Sequence, residues 1–315
     1  MGRRSKKGDP ISGWVNLDKP YGMTSTQAVG KVRRFLDGQK VGHAGTLDPL
    51  ATGVLPIALG EATKTIPFVQ DNIKTYHFTV VWGEQRTTDD MEGEVIASSG
   101  TRPTPDEIKS LLPKFTGKIE QTPPQFSAIK IDGKRAYDLA RAGKEVELKP
   151  RKITIDKFEL LEARKHEADF EMVCHKGTYV RSLARDMGEV LGCYGYVSAL
   201  RRTAVGCFTA QSAIILDIIE KMDYLAARSE ALLPVQTVLD DIPALAISQE
   251  ETAKIRSGQP LEFISRPNFE RLTAVGLGTK ETQTALVLFQ GDPVALVEQT
   301  RAQIKPVRVF NITNN

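Results

Sequence analysis

Apolar and polar residues alternate along the chain in blocks whose spacing predicts the elements. WVNLD (14–18) reads as a short strand ending at Lys19-Pro20. Thr24 and Ser25 offer an N-cap for a helix with Ala28, Val32 and Phe35 on its apolar face and Gly38 as its stop. VLPIAL (54–59) has the continuous apolar run of a buried strand, despite Pro56. KTYHFTVVW (74–82) alternates, with Tyr76, Phe78, Val80 and Trp82 on one face and His77, Thr79 and Val81 on the other. EQRTTDDMEG (84–93) is a polar, turn-rich connection, and Thr104-Pro105 opens a helix to about Phe115. FSAIKI (126–131) predicts a strand, Asp132-Gly133 a turn, and KRAYDLARAG a short helix ending at Gly143. KITIDKFELLEAR and ADFEMVCHK predict two more strands, and TYVRSLARDMGEVL (178–191) a helix stopped by Gly192. Strand-like segments recur at 284–289 and 294–298. There is no regular strand–helix alternation, so the class is α+β, with a mixed, largely antiparallel sheet and flanking helices. The expected division is a basic disordered arm (1–9), a main domain (10–243) with an insertion at about 124–152, and a small C-terminal β domain (244–315) beginning near Pro243.

Composition narrows the class. With 315 residues, 41% hydrophobic and 26% charged, the chain can bury a sizeable core, and two domains are favoured over one. No run approaches the roughly 18 apolar residues of a membrane span. The opening MGRRSKKG carries Arg3, Arg4, Lys6 and Lys7 with no apolar segment behind it, which is not the pattern of a secretory signal. That arm suits a nucleic-acid contact and a solubilising tail equally well. Cys174, Cys193 and Cys207 form no CxxC pair and are odd in number, and the four histidines lack metal-binding helical spacing. The expectation is a cytoplasmic, metal-free protein. The net charge of +3 is unevenly placed: residues 217–315 hold 10 basic and 13 acidic side chains, and the remainder holds 32 and 26. Residues 127–152 alone carry eight basic against four acidic, which favours a polyanionic partner.

Chemistry concentrates in VGHAGTLDPLATGVLPIALGEATK (41–64), a loop-forming stretch that sets Asp48 directly before Pro49. It lacks the GxxxxGK[ST] of a nucleotide loop, GLGTKE (276–281) lacks the third glycine of a dinucleotide fingerprint, and no GxSxG elbow is present. Asp89-Asp90 could join Asp48 at a divalent ion, but adjacent acids in a polar turn read more simply as solvated. A buried carboxylate stays ionised only beside a cation, and KGTYVR (176–181) supplies Arg181. An Asp–Arg pair beside a stacking Tyr76 or Tyr179 suits attack on a flat ring. An aspartate N-cap, a core arginine pair and ordinary buried tyrosines fit the same residues equally well.

The glycine-rich stretch resembles the catalytic motif of the TruB family of tRNA pseudouridine-55 synthases. Five other stretches match in the family's order: LDKPYGMTS (17–25), KTYHFTVVWGEQRTTDDMEG, TPPQFSAIKIDGKRAYDLARAG, KGTYVRSLARDMG and LRRTAVG. The resemblance covers residues 10 to about 240. It implies the pseudouridine synthase fold, with Asp48 as nucleophile, Tyr76 stacked on the extruded uracil and Arg181 paired with Asp48. It also implies that Tyr179 and Leu200 complete the base pocket and that His43 wedges into the T-loop. Lys19 and Pro20 would buttress the catalytic loop, while Lys64, Lys130 and Arg141 would contact the RNA backbone. Extruding a base from a loop costs less than from a duplex, and RNA loops are read by shape and stacking, so modest basicity suffices. The implied partner is the T-arm stem-loop of tRNA, acted on by a monomer with no cofactor, no metal, no membrane and no obligatory protein partner. ISQEETAKIRSGQPL (247–261) faintly resembles the start of a PUA-like RNA-binding module. The competing readings are a non-catalytic tRNA-binding or tRNA-folding protein, a guide-RNA-dependent synthase and a metal-dependent nuclease using Asp48, Asp89 and Asp90.

Overall fold

The computed structural model of the chain describes residues 8–127, 130–131, 134–135 and 148–312. Strand β1 (Gly13–Lys19) is almost wholly buried, as a strand covered on both faces must be. Helix α1 (Ser25–Phe35) starts at a capping box in which Gln27 N–H donates to the Thr24 hydroxyl and the Gln27 side chain accepts from Thr24 N–H. Its Ala28 and Val32 are buried with Leu17 of β1 and with Leu55 and Ile57. Strands β2 (Val41–His43) and β3 (Thr52–Leu59) flank the glycine-rich loop. Pro56 fits into β3 one residue beyond the His43↔Ile57 pair that ends the β2 ladder.

After helix α2 (Ile66–Asp71) comes β4 (Lys74–Trp82), then the hairpin β5 (Glu84–Arg86) and β6 (Val95–Ser98). Helix α3 (Pro105–Leu111) carries a second capping box, from Thr104 and Glu107, and tightens to a 3-10 turn through Phe115. Strands β7 (Gly117–Gln121), β8 (Lys130–Ile131), β9 (Lys134–Arg135), β10 (Arg151–Ala163) and β11 (Glu167–Cys174) follow. Helix α4 (Val180–Val190), β12 (Gly195–Val205), β13 (Phe208–Thr209) and β14 (Ile214–Ile215) complete the large sheet. Its order is β14-β1-β3-β12-β4-β11-β10-β7, with β2 on β3 and β13 on β12. Among the described residues of this sheet only the β1/β14 and β3/β12 pairs are parallel, so it is mixed and largely antiparallel.

Two sequence expectations need correction. Phe126 and Ser127 lie in a bend rather than in the expected strand, whose end at Lys130–Ile131 is strand, while residues 128–129 lie outside the described residues. Lys134 and Arg135, expected to open a helix, instead pair as a strand with Lys130–Ile131 because the chain doubles back there; the rest of that helix, with Arg141, falls outside the described residues. The sequence reading also assigned no element to 193–210, where β12 runs. GYVSALRRTAV does not alternate cleanly, and two register shifts against β4 break its period further.

A second sheet, ordered β15-β17-β18-β19-β16, forms the C-terminal β domain from β15 (Ala244–Ala246), β16 (Leu261–Glu262), β17 (Thr282–Phe289), β18 (Asp292–Thr300) and β19 (Gln303–Val309). It has a core of its own around Ile255, Phe263, Leu272 and Val297. Leu286, Leu296 and Phe310 also pack with Trp14, Val54 and Phe208 of the main body, which welds the two units through apolar contact. No helix among the described residues is long and apolar enough to cross a membrane.

Candidate active site

The loop that carries Asp48 is held from both sides by short-range chemistry. Ala44, Leu47 and Ala51 anchor it in the core. Ser25, the first residue of α1, accepts from Leu47 N–H and donates to Leu47 C=O. Gly22 N–H donates to Pro49 C=O, and Ala51 N–H returns to Asp48 C=O. Arg202 of β12, fully buried, donates to the carbonyls of Val54, Gly45 and Thr46. A buried guanidinium is costly unless its N–H groups are used, and here they satisfy one carbonyl of β3 and two of the loop. Gly53 has φ +99°, and a Cβ there would lie 2.2 Å from the Arg202 carbonyl oxygen. Only glycine lets β3 approach β12 this closely.

Lys19 is the third brace. Its side chain is completely buried, and its ammonium donates to Pro20, Met23 and Pro49 carbonyls at 2.9, 2.6 and 3.2 Å. Burial lowers its pKa to about 8, against the attraction of Asp48 and with help from Arg202. Three N–H donors meet three carbonyls, so deprotonation removes a bond from the loop beside Asp48. Between pH 8 and about 10.5 the folded chain therefore holds fewer protons than the unfolded one at this site. The cost of burying the ammonium is full below pH 8 and is relieved as pH rises through that window, while the brace itself is lost. The single-turnover rate should fall above pH 8, and that limb should vanish from the profile of Lys19→Arg, whose guanidinium does not titrate. An unchanged limb in the variant would assign it to another group.

Asp48, 39% exposed, faces a cavity of about 500 Å³. Arg181, on the first turn of α4, places Nε 2.9 Å from Asp48 Oδ2. Its other nitrogens have partners as well: Nη1 donates to Thr88 C=O at 2.9 Å and lies 3.6 Å from Asp90 Oδ2, and Nη2 donates to Phe126 C=O at 2.9 Å. Tyr76, Tyr179 and Leu200 line the same cavity. Burial raises the pKa of the Tyr76 phenol, with Arg202 acting in the opposite direction, and raises that of Tyr179. Both rings therefore stay neutral and apolar-faced at neutral pH. Lys74 also lines the wall; its ammonium is buried, bound to the Gln70 and Asn72 carbonyls, and lowered in pKa by desolvation.

The other sequence candidates lie elsewhere. His43 sits on β2 opposite Ile57, off the cavity lining. Pro20 accepts from Lys19 through its carbonyl. Lys64 pairs with Glu61 and donates to Val309 C=O at 2.6 Å, while Glu61 accepts from Asn311 N–H. Its ammonium thus ties the main body to the C-terminal β domain. Lys130 is on β8, and Arg141 is outside the described residues.

Asp89 and Asp90, read as solvated, are buried instead because two arginines of α4 meet them: Arg181 faces Asp90 and Arg185 faces Asp89. Arg202, Lys74 and Arg185 were not singled out from the sequence. The RR pair in LRRTAVG gives no local sign that one arginine turns inward. The i, i+4 spacing of Arg181 and Arg185 was the available signal for a shared face. Among the described residues, no group of three His, Cys, Asp or Glu side chains is placed to hold a metal ion, and the three cysteines are free thiols.

Comparison with known proteins addresses the family. Residues 33–180 match the model of the TruB family pseudouridylate synthase N-terminal domain, and residues 181–240 that of the tRNA pseudouridylate synthase B C-terminal domain. The chain is 51% identical to a tRNA pseudouridine synthase B of Caulobacter sp. (strain K31) over 98% of its own length and 99% of that protein's. The chain belongs to the TruB family of pseudouridylate synthases. Another TruB-family relative, a tRNA pseudouridine synthase B of Bradyrhizobium diazoefficiens, is 53% identical over 96% of this chain and 87% of its own length. Among solved structures, a chain of a Cbf5–Nop10–Gar1 complex superposes with a TM-score of 0.68 at 25% identity, covering 96% of this chain and 84% of that one.

Proposed function

We propose that this TruB-family chain converts uridine to pseudouridine in the T-loop of tRNA, with Asp48 as the nucleophile. The observation that carries the reading is the 2.9 Å Arg181–Asp48 pair on the wall of a cavity flanked by Tyr76, Tyr179 and Leu200. A carboxylate fixed beside two aromatic faces suits a flat ring delivered by base flipping. Asp48 assists cleavage of the N1–C1′ bond, uracil turns within the pocket, and C5 bonds to C1′. The C5 hydrogen leaves as a proton and N1 gains one, so atoms and electrons balance without a cofactor. Tyr76 stacks on the ring beside C5, where that proton departs. Lys74, Lys176, Arg181 and Arg202 outnumber Asp48 and Asp71 on the cavity wall, which suits a phosphate-bearing ligand.

A purely RNA-binding protein has no use for a carboxylate facing its polyanionic ligand, and Asp48 does just that. The relatives named tRNA pseudouridine synthase B are 51% and 53% identical over nearly the whole of this chain, whereas the likeness to the chain of the Cbf5–Nop10–Gar1 complex is 25%. These favour an enzyme of the tRNA-modifying kind over a guide-RNA-dependent one. Incubation with an unmodified tRNA transcript, followed by carbodiimide mapping, should give one pseudouridine, in the T-loop. A transcript with cytidine at that position should give none. Modification elsewhere in the transcript would overturn the proposed position.

A further inference from the structure

Arg185 lies outside the catalytic cavity, yet it touches the same two segments as Arg181. Both arginines project from one face of α4, a single turn apart. On one side they meet the acidic turn: Arg185 Nη1 is 3.2 Å from Asp89 Oδ2, and Arg181 reaches Thr88 C=O and Asp90. On the other they meet the segment leading from β7 toward the basic insertion: Arg185 Nη2 donates to Thr122 C=O at 3.0 Å, and Arg181 Nη2 to Phe126 C=O. Ser182 adds a second bond to Thr122 C=O, and Gln121 exchanges two hydrogen bonds with the Tyr179 backbone. Asp186, the next residue on α4, holds the Arg185 guanidinium from behind at 2.7 Å.

The acidic turn needs such a hold. Asp89 has φ +59°, a left-handed conformation uncommon for a residue other than glycine, though aspartate tolerates it better than most. Its carbonyl accepts from Val197 N–H of β12, its N–H donates to Arg86 C=O, and its carboxyl is buried, with burial raising its pKa to about 6. Arg185 is the cation in contact with this carboxyl, and Arg181 adds a weaker attraction.

We infer that Arg185 is a positioning residue for pseudouridine formation: with Asp89 it locks the 88–90 turn and the 122–126 segment around Arg181, and so fixes the Arg181–Asp48 geometry. The inference rests on the proposed synthase activity. It is tested by single-turnover pseudouridine formation and RNA affinity, measured with the full chain and a T-arm stem-loop for Arg185→Met, Arg181→Lys and the double variant. Arg185→Met should slow the chemical step at least about tenfold with RNA affinity changed less than threefold. In the Arg181→Lys background the same change should cost less than threefold, because the residue through which Arg185 acts is already displaced. Equal losses in both backgrounds would mark a general packing role and overturn the inference, as would an Arg185→Met variant as fast as wild type. Arg185→Lys, which retains the charge but not the fork, should recover part of the rate; should Arg185→Met fail to fold, the comparison is made with Arg185→Lys. A wild-type chain that forms no pseudouridine would instead count against the proposed function.

Discussion

Asp48→Asn is expected to abolish pseudouridine formation, lowering the single-turnover rate by about 10⁴-fold or more, the scale seen when a nucleophile is removed. The amide is nearly the same size as the carboxylate, and the loop around it is held by Lys19, Ser25 and Arg202 through backbone groups that the change leaves alone. Asp48 is also partly exposed, so the variant should fold and bind the stem-loop within about threefold of wild type. Carbodiimide mapping of the product together with a filter-binding isotherm separates the two effects. Substantial turnover by a correctly folded Asp48→Asn variant would remove Asp48 from the nucleophile's role.

Arg181→Lys should be the next most damaging change, costing about 10² to 10³-fold, as expected when a buried guanidinium loses the fork that holds a partly exposed carboxylate. A lysine ammonium cannot span Asp48, Thr88 C=O, Asp90 and Phe126 C=O together. Whichever partner it keeps, buried carbonyls or the Asp90 carboxylate are left uncompensated. Stability should therefore fall as well, by about 2–4 kcal/mol. Rapid-quench kinetics should place the rate loss in the chemical step, and urea unfolding checks the stability. A variant that loses stability but keeps its rate would confine Arg181 to a structural role.

How much of this was legible from the chain differs from residue to residue. The strand at 74–82 was readable because its alternation is local and its cross-strand neighbours reinforce it. The two helix starts were readable because their signals are local, an N-cap at Thr24 and Pro105 in the first helical position, and the structure adds a capping box to each. The glycine-rich loop announced itself through punctuation, and family resemblance, more than periodicity, directed attention to Asp48, Tyr76 and Arg181. The core strand β12 was invisible because its inward-facing Arg202 breaks the apolar period and makes sense only once the loop carbonyls are opposite it. Asp89 and Asp90 looked solvated because their partners lie about 90 residues away on α4. Lys64 read as a basic RNA contact, and its tie to the C-terminal β domain spans 245 positions that no local pattern encodes.

Pseudouridine has the same mass as uridine, so displaced C5 hydrogen is the most direct readout of the reaction. A T-arm stem-loop carrying tritium at the C5 of its target uridine should release one tritium per RNA when mixed with the wild-type chain. Stoichiometric binding of that stem-loop with no release of tritium would contradict the assignment of this site as a pseudouridine synthase.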